Sequence, residues 1–247
     1  MPSPFASLPR VILFSILSIA LVLALYWYWP RGFQESDNGE SESTCFGTTA
    51  NGRLEGGVRL PPRGPNFVSY GLAPILLGRT YLHDAAAQAT VDAYRNLAES
   101  HPETVFKYAE TGFASGGRFR PHKTHRNGLS VDFMVPMLDA QGRSVHLPTH
   151  PFNRYGYDIE FDSQGRWGDQ GIDYEAMGAH LLALDEAARA RGIGLWRVIF
   201  DPQLQPLLFA TEHGSELQRR LQFSTRRSWV RHDEHYHVDF EVPCREM

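Results

Sequence analysis

The sequence predicts an α+β fold: a mostly antiparallel sheet with flanking helices, behind one N-terminal transmembrane helix. Three observations predict it. Short runs alternate with period two, Leu129–Val135 and His235–Val242 among them, and such runs read as strands. Longer runs between them carry apolar residues at helical spacing, so few strands and interleaved helices make an α+β layer structure. The nineteen residues Val11–Trp29 hold no charge, which is long enough to cross a hydrocarbon core of about 30 Å as a helix.

Taken in order, residues 1–10 form a short N-terminal tail and 11–29 the span. Tyr26, Trp27, Tyr28 and Trp29 end it as an interfacial aromatic belt, and Pro30 stops the helix. The alternative is a cleaved signal peptide, whose apolar core is usually shorter and followed by an A-x-A-like site; no clean site is present. Arg10 precedes the span and Arg31 follows it, so charge gives its orientation only weakly. Residues 30–44 are polar and acidic, with Glu35, Asp37, Glu40 and Glu42. They lack periodicity and read as a flexible linker. Residues 45–247 are then one folded domain.

Within that domain, Gly and Pro crowd Asn51–Gly57 and Pro61–Pro65, which predicts turns and loop. Tyr70–Leu77 leads into a short strand. Asp84 caps a helix to about Ser100, with Val91, Tyr94, Leu97 and Ala98 at helical spacing. Thr104–Glu110 is β-branched and aromatic, hence a strand. Leu129–Val135 places Val131, Phe133 and Val135 on one face and Asp132 and Met134 on the other, as a half-buried strand does. Tyr157–Phe161 is a further strand. Asp173 caps a second long helix through Arg191, stopped by Gly192. Gly194–Phe200 is a strand, and Asp201-Pro202 opens a third helix. In His235–Val242, His235, His237 and Asp239 share one face, with Tyr236, Val238 and Phe240 on the other.

Composition narrows the function. The chain is 42% hydrophobic and 21% charged with a formal net charge of −4. Phosphate binding needs a basic face, so nucleic acid is not the expected partner. There is no repeat and no glycine-rich phosphate loop.

Chemistry concentrates in two windows. Gly116–Asp132, GGRFRPHKTHRNGLSVD, holds His122, His125 and Asp132; RHDEHYHVDF holds His232, His235 and His237. Five of the eleven histidines lie there, too dense for isolated polar histidines near a sheet edge. His, His and carboxylate from separated segments is the ligand set of a catalytic Zn²⁺ site with an open fourth position. Strand-borne ligands are also held rigidly.

The pairing of HxxHxxGxxxD with a later HxxHxH resembles the penicillin-insensitive murein endopeptidases, zinc peptidases related to the lysostaphin and D-Ala-D-Ala peptidase group. The resemblance extends to GGRF at Gly116–Phe119, to NGxLxxGxxLP at Asn51–Pro62 and to the turn around Phe200–Leu204. It implies that His125, Asp132 and His237 bind zinc, and that His235 is the catalytic proton carrier beside the metal. His122 and His232 line the site, stabilising an oxyanion or hydrogen-bonding to the ligands. Arg118 is either a fork for a substrate carboxylate or a surface arginine. Relatives typically carry an acidic residue two before the ligand Asp and often an Arg two after the last His; here these are Ser130 and Asp239. The resemblance implies hydrolysis of peptidoglycan peptide cross-links, D-alanyl–diaminopimelate or diaminopimelate–diaminopimelate, by a periplasmic enzyme tethered through its membrane helix. The alternatives are a carboxypeptidase or dipeptidase of the same group, with Glu234 as base, and a peptidoglycan-binding module that does not cut. On a regular strand Glu234 points away from the ligand face, as a solvated charge.

The two cysteines, Cys45 and Cys244, stand at the ends of the folded domain. They are either free thiols or, in an oxidising compartment, a disulfide joining those ends. Neither has a second Cys or His at ligand spacing, so neither is read as a zinc ligand.

Overall fold

The computed structural model describes residues 43–226, 228 and 230–247. The predicted span and nearly all of the linker lie outside these residues. Among the described residues, no helix is long and apolar enough to cross a membrane.

The described residues open with an antiparallel hairpin, β1 (Thr44–Thr48) and β2 (Asn51–Glu55). The second strand replaces the loop expected there. Glycine makes this pairing possible: a Cβ at Gly52 would lie 2.3 Å from the Phe46 carbonyl oxygen. β3 (Val58–Arg59) pairs with β5 (Tyr81–Leu82), and β4 (Phe67–Ser69) lies between them in sequence. Residues Leu72–Leu76 form the short helix α1 rather than a strand. Pro74 explains this, because a proline without an N–H is tolerated in the first turn of a helix but not inside a ladder. Helix α2 (Asp84–Ser100) follows. His83 is its N-cap and accepts from the Ala85 N–H at 3.3 Å, so the cap falls one residue before the expected Asp84.

Strands β6 (Phe106–Tyr108) and β7 (Ser130–Met134) enclose the first histidine window. Next come β8 (Met137–Leu138), β9 (Ser144–Val145), a 3-10 segment Pro151–Gly156, β10 (Arg166–Trp167) and β11 (Gln170–Ile172). A turn at Tyr157–Asp158 and irregular chain to Phe161 stand where a Tyr157–Phe161 strand was expected. The Asn153 side chain organises the 3-10 segment before it, accepting from the His150 and Gly156 N–H groups and donating to the Pro148 carbonyl. Helix α3 (Tyr174–Ala190) is capped by Asp173, which accepts from the Ala176 N–H at 3.0 Å. After β12 (Gly194–Ile199), helix α4 (Gln205–Phe209) starts three residues beyond Pro202. Helix α5 (Gly214–Arg220) and β13 (His235–Glu241) complete the order.

The principal sheet runs β12-β13-β7-β6-β4, antiparallel except for the β6–β4 pair. A smaller antiparallel sheet runs β10-β11-β8-β9. Helices α2 and α3 pack on each other and on the apolar face of the principal sheet. There Tyr94 stacks on Phe67 with ring centroids 4.5 Å apart, and His180 packs edge-on to Phe133 at 4.7 Å. Val131 and Phe133 point to this core, as the alternation required, and Asp132 to the opposite side. That opposite side is not open, because every residue of β7 is buried. Segments 111–128 and 150–161 bring residues over it: Thr111, Phe119, His122, His125 and Tyr157 all touch its histidines or Asp132. The cover turns a half-buried strand into the floor of a site.

A disulfide joins Cys45 to Cys244, and the Arg245 N–H donates to the Cys45 carbonyl at 2.9 Å. Both ends of the folded region are therefore held together.

Candidate metal centre

Register sets the site. On β7 and β13, Asp132 lies directly opposite His237, Ser130 opposite Asp239, and Met134 opposite His235. Directly opposed residues on one face of an antiparallel pair have Cβ atoms roughly 4.5–5.5 Å apart, so one strand pair brings a carboxylate against an imidazole. The loop before β7 adds His122 and His125. His125 adopts φ +65° and His232 φ +58°. Left-handed backbone is costly for a non-glycine residue and persists where the surroundings over-determine it, commonly at functional sites. The other described non-glycine residues with positive φ, Arg154 and Tyr155, lie just before Tyr157, which also reaches the site.

Hydrogen bonds at Nδ1 orient four of these imidazoles, those of His125, His232, His235 and His237. His125 is completely buried, and its Nδ1–H donates to the Thr111 carbonyl at 2.8 Å. In the neutral imidazole that bond leaves the lone pair on Nε2, which has no hydrogen-bond partner. It lies 3.3 Å from Asp132 Oδ1. Two buried acceptors facing each other repel unless a cation lies between them, and an oriented imidazole with a free lone pair is what a metal ligand requires. His237 differs, with both ring nitrogens engaged: Nε2 is 2.8 Å from Asp239 Oδ1, and Nδ1 is 2.8 Å from Asp132 Oδ1. Without a metal, a proton does the cation's work here. Burial opposes charge on His237, but Asp239 and Asp132 outweigh burial and lift its pKa to about 10. Burial would also raise Asp132, yet the surrounding imidazoles hold it well below the usual carboxylate range.

His122, His125 and Asp132 offer ligand atoms all within 4.8 Å of one another and can hold a metal ion. His122 Nδ1 approaches the other carboxylate oxygen, Asp132 Oδ2, at 3.8 Å. Burial pushes both His122 and His232 down to about 3, with charged neighbours modifying the shift. Both are therefore neutral near pH 7 and able to offer lone pairs. His232 Nδ1–H is committed to the Val230 carbonyl at 3.0 Å, and its ring packs 4.6 Å from that of His235.

His235 directs Nε2 towards Asp132 Oδ2, 3.8 Å away, and places Nδ1 2.8 Å from Glu234 Oε1. Glu234 is thus not a solvated charge. It is 5% exposed and lies just before β13 begins, so strict alternation does not govern its side chain. Its charge, with that of Asp132, raises the His235 pKa against the opposing effect of burial.

Ser130 and Asp239, the two positions that differ from the expected pattern, prove to be partners. Ser130 Oγ donates to Asp239 Oδ1 at 2.6 Å, and Arg197 on β12 forks onto Asp239 Oδ2. Arg118 is exposed, and the arginine at the site's wall is Arg79. Its guanidinium lies 4.0 Å over the Phe119 ring, and Nε contacts both Glu110 oxygens at 2.8 and 2.9 Å. Phe119 in turn stacks on His125. Sequence reasoning missed Arg79, Glu110, Thr111 and Tyr157, none of which shares a motif with the histidines. A cleft lined by Leu138, Asp139, Tyr174 and Leu207 lies elsewhere and contains none of these ligands.

No protein-family model and no curated protein matches the chain.

Proposed function

We propose that the chain is a zinc metallopeptidase, an endopeptidase that hydrolyses peptide cross-links of peptidoglycan. The observation that supports it best is the orphaned His125 Nε2 facing Asp132 Oδ1 in a fully buried site. Two imidazoles and one carboxylate suit Zn²⁺ with a vacant coordination position, and the two histidine motifs resemble those of murein endopeptidases. In this reading His125, Asp132 and His237 hold the metal, with His122 a further nitrogen at the same carboxylate. Zinc, when bound, supplies a Lewis acid that polarises a carbonyl and acidifies water.

The chain's own residues then handle the proton. Glu234 holds Nδ1–H of His235, so Nε2 is the atom that accepts a proton from attacking water and returns it to the leaving amine. Neutral His122 and His232 line the site, where they orient substrate or stabilise developing negative charge. Catalysis in the periplasm, with the domain tethered by the N-terminal span, fits the Cys45–Cys244 disulfide.

Burial of Glu234 against His235 favours keeping a second reading, a carboxypeptidase or dipeptidase that uses Glu234 as base. Digestion of purified murein, with products identified by mass spectrometry, separates the two. Loss of cross-linked dimers is the expected result, and release of terminal D-alanine alone would favour the second reading. Tight binding to murein without any cleavage would make the chain a binding module.

A further inference from the structure

The geometry points to Tyr157 as the positioning residue that makes Asp132 present a single oxygen to the metal, an assignment that rests on the metal reading above. The two oxygens of Asp132 face different neighbours. Oδ1 meets His125 Nε2 at 3.3 Å and His237 Nδ1 at 2.8 Å. Oδ2 accepts a hydrogen bond from the Tyr157 hydroxyl at 2.9 Å and is otherwise approached by His122 and His235 only at 3.8 Å. A carboxylate with both oxygens free can bind a cation through both. Here one oxygen is already occupied by a phenol, which leaves Oδ1 as the ligand atom and keeps a coordination position vacant.

The surroundings fix the phenol in that place. The Tyr157 ring stands edge-on between His235, 4.9 Å away, and His122, 5.8 Å away. The three residues before it, Arg154, Tyr155 and Gly156, all have positive φ, and the Asn153 side chain bridges the turn from His150 to Gly156. Gly156 cannot easily be replaced, since its φ of +99° is one that L side chains rarely adopt. Two strained non-glycine residues before a tyrosine aimed at a buried carboxylate indicate a constraint beyond chain reversal.

The test is Tyr157→Phe in the full chain, which keeps the ring and removes the hydroxyl. Zinc affinity is measured by chelator competition, and Co²⁺ is used as a spectroscopic probe. The expected results are a fall in zinc affinity of roughly 10–100-fold, the usual cost of losing a group that orients a ligand, and a weaker cobalt visible band as Asp132 becomes bidentate. Unchanged affinity and an unchanged cobalt spectrum overturn the assignment. So does a variant that only melts at a lower temperature, because the hydroxyl would then be structural. A wild-type chain that binds neither zinc nor cobalt sinks the metal reading itself, and this assignment with it.

Discussion

At His235 the two ring nitrogens have different tasks. Nδ1 is held by buried Glu234, and Nε2 faces the carboxylate that anchors the site. In the proposed reaction the pair acts as a unit, with the carboxylate fixing the tautomer and supporting the imidazolium that would form when Nε2 takes a proton. His235→Ala should retain zinc and lose about 10²–10⁴-fold in rate, the usual share of general acid–base catalysis. Glu234→Ala should lose about 10–100-fold, in line with other groups that orient a functional histidine. Glu234→Gln keeps an acceptor oxygen and should fall between wild type and the alanine variant. Steady-state rates on a purified cross-linked muropeptide, with zinc content checked in parallel, decide it. An active His235→Ala beside a dead, zinc-loaded Glu234→Gln would make Glu234 the base and move the carboxypeptidase reading ahead.

At the scale of elements, β7, β13 and β12 form a polar ladder across the floor of the site. Arg197, Asp239 and Ser130 lie side by side in register, and Asp239 also receives Nε2–H of His237. Asp239→Ala should weaken zinc binding about 10–100-fold by freeing the His237 ring, as chelator competition would show. Unchanged affinity would make Asp239 a charge partner for Arg197 alone. The alternation of β7 and β13 was legible in the sequence because period two survives wherever a strand is regular, so the common face of His235, His237 and Asp239 could be read directly, whereas the register that sets Asp132 opposite His237 could not. Glu234 was misread because it precedes the first regular strand residue. Tyr157 escaped notice because a left-handed turn with no periodicity delivers it, and its partner is 25 residues away. The half-exposure expected of β7 failed for a related reason: a single strand does not show which loops will fold over it.

At the scale of the whole molecule, the layer of helices on one sheet face was legible from the spacing of α2 and α3, but the price of one buried polar group between them was not. His180 is fully buried among Tyr94, Phe106 and Phe133, and its Nδ1 shares a hydrogen bond of 2.7 Å with the Tyr236 hydroxyl. Burial lowers its pKa from 6.5 to about 3. The unfolded chain therefore binds a proton that the folded chain refuses between these values. This contribution to stability is complete above pH 6.5 and is lost as pH falls towards about 3, at a slope of up to about 1.4 kcal/mol per pH unit. Chemical denaturation at a series of pH values should show a slope in the wild type to which His122 and His232 also contribute, and one shallower by up to about 1.4 kcal/mol per pH unit in His180→Gln. Equal slopes would place the acid sensitivity in other groups.

Metal content tests the central claim most directly. The full chain and its His125→Ala and Asp132→Ala variants would be supplied with zinc, dialysed and measured by elemental analysis. Wild type should retain about one zinc per chain, as a site with two imidazoles and a carboxylate does, and each variant should retain almost none while remaining folded. Full zinc occupancy in both variants, or no zinc in the wild type, would contradict the account.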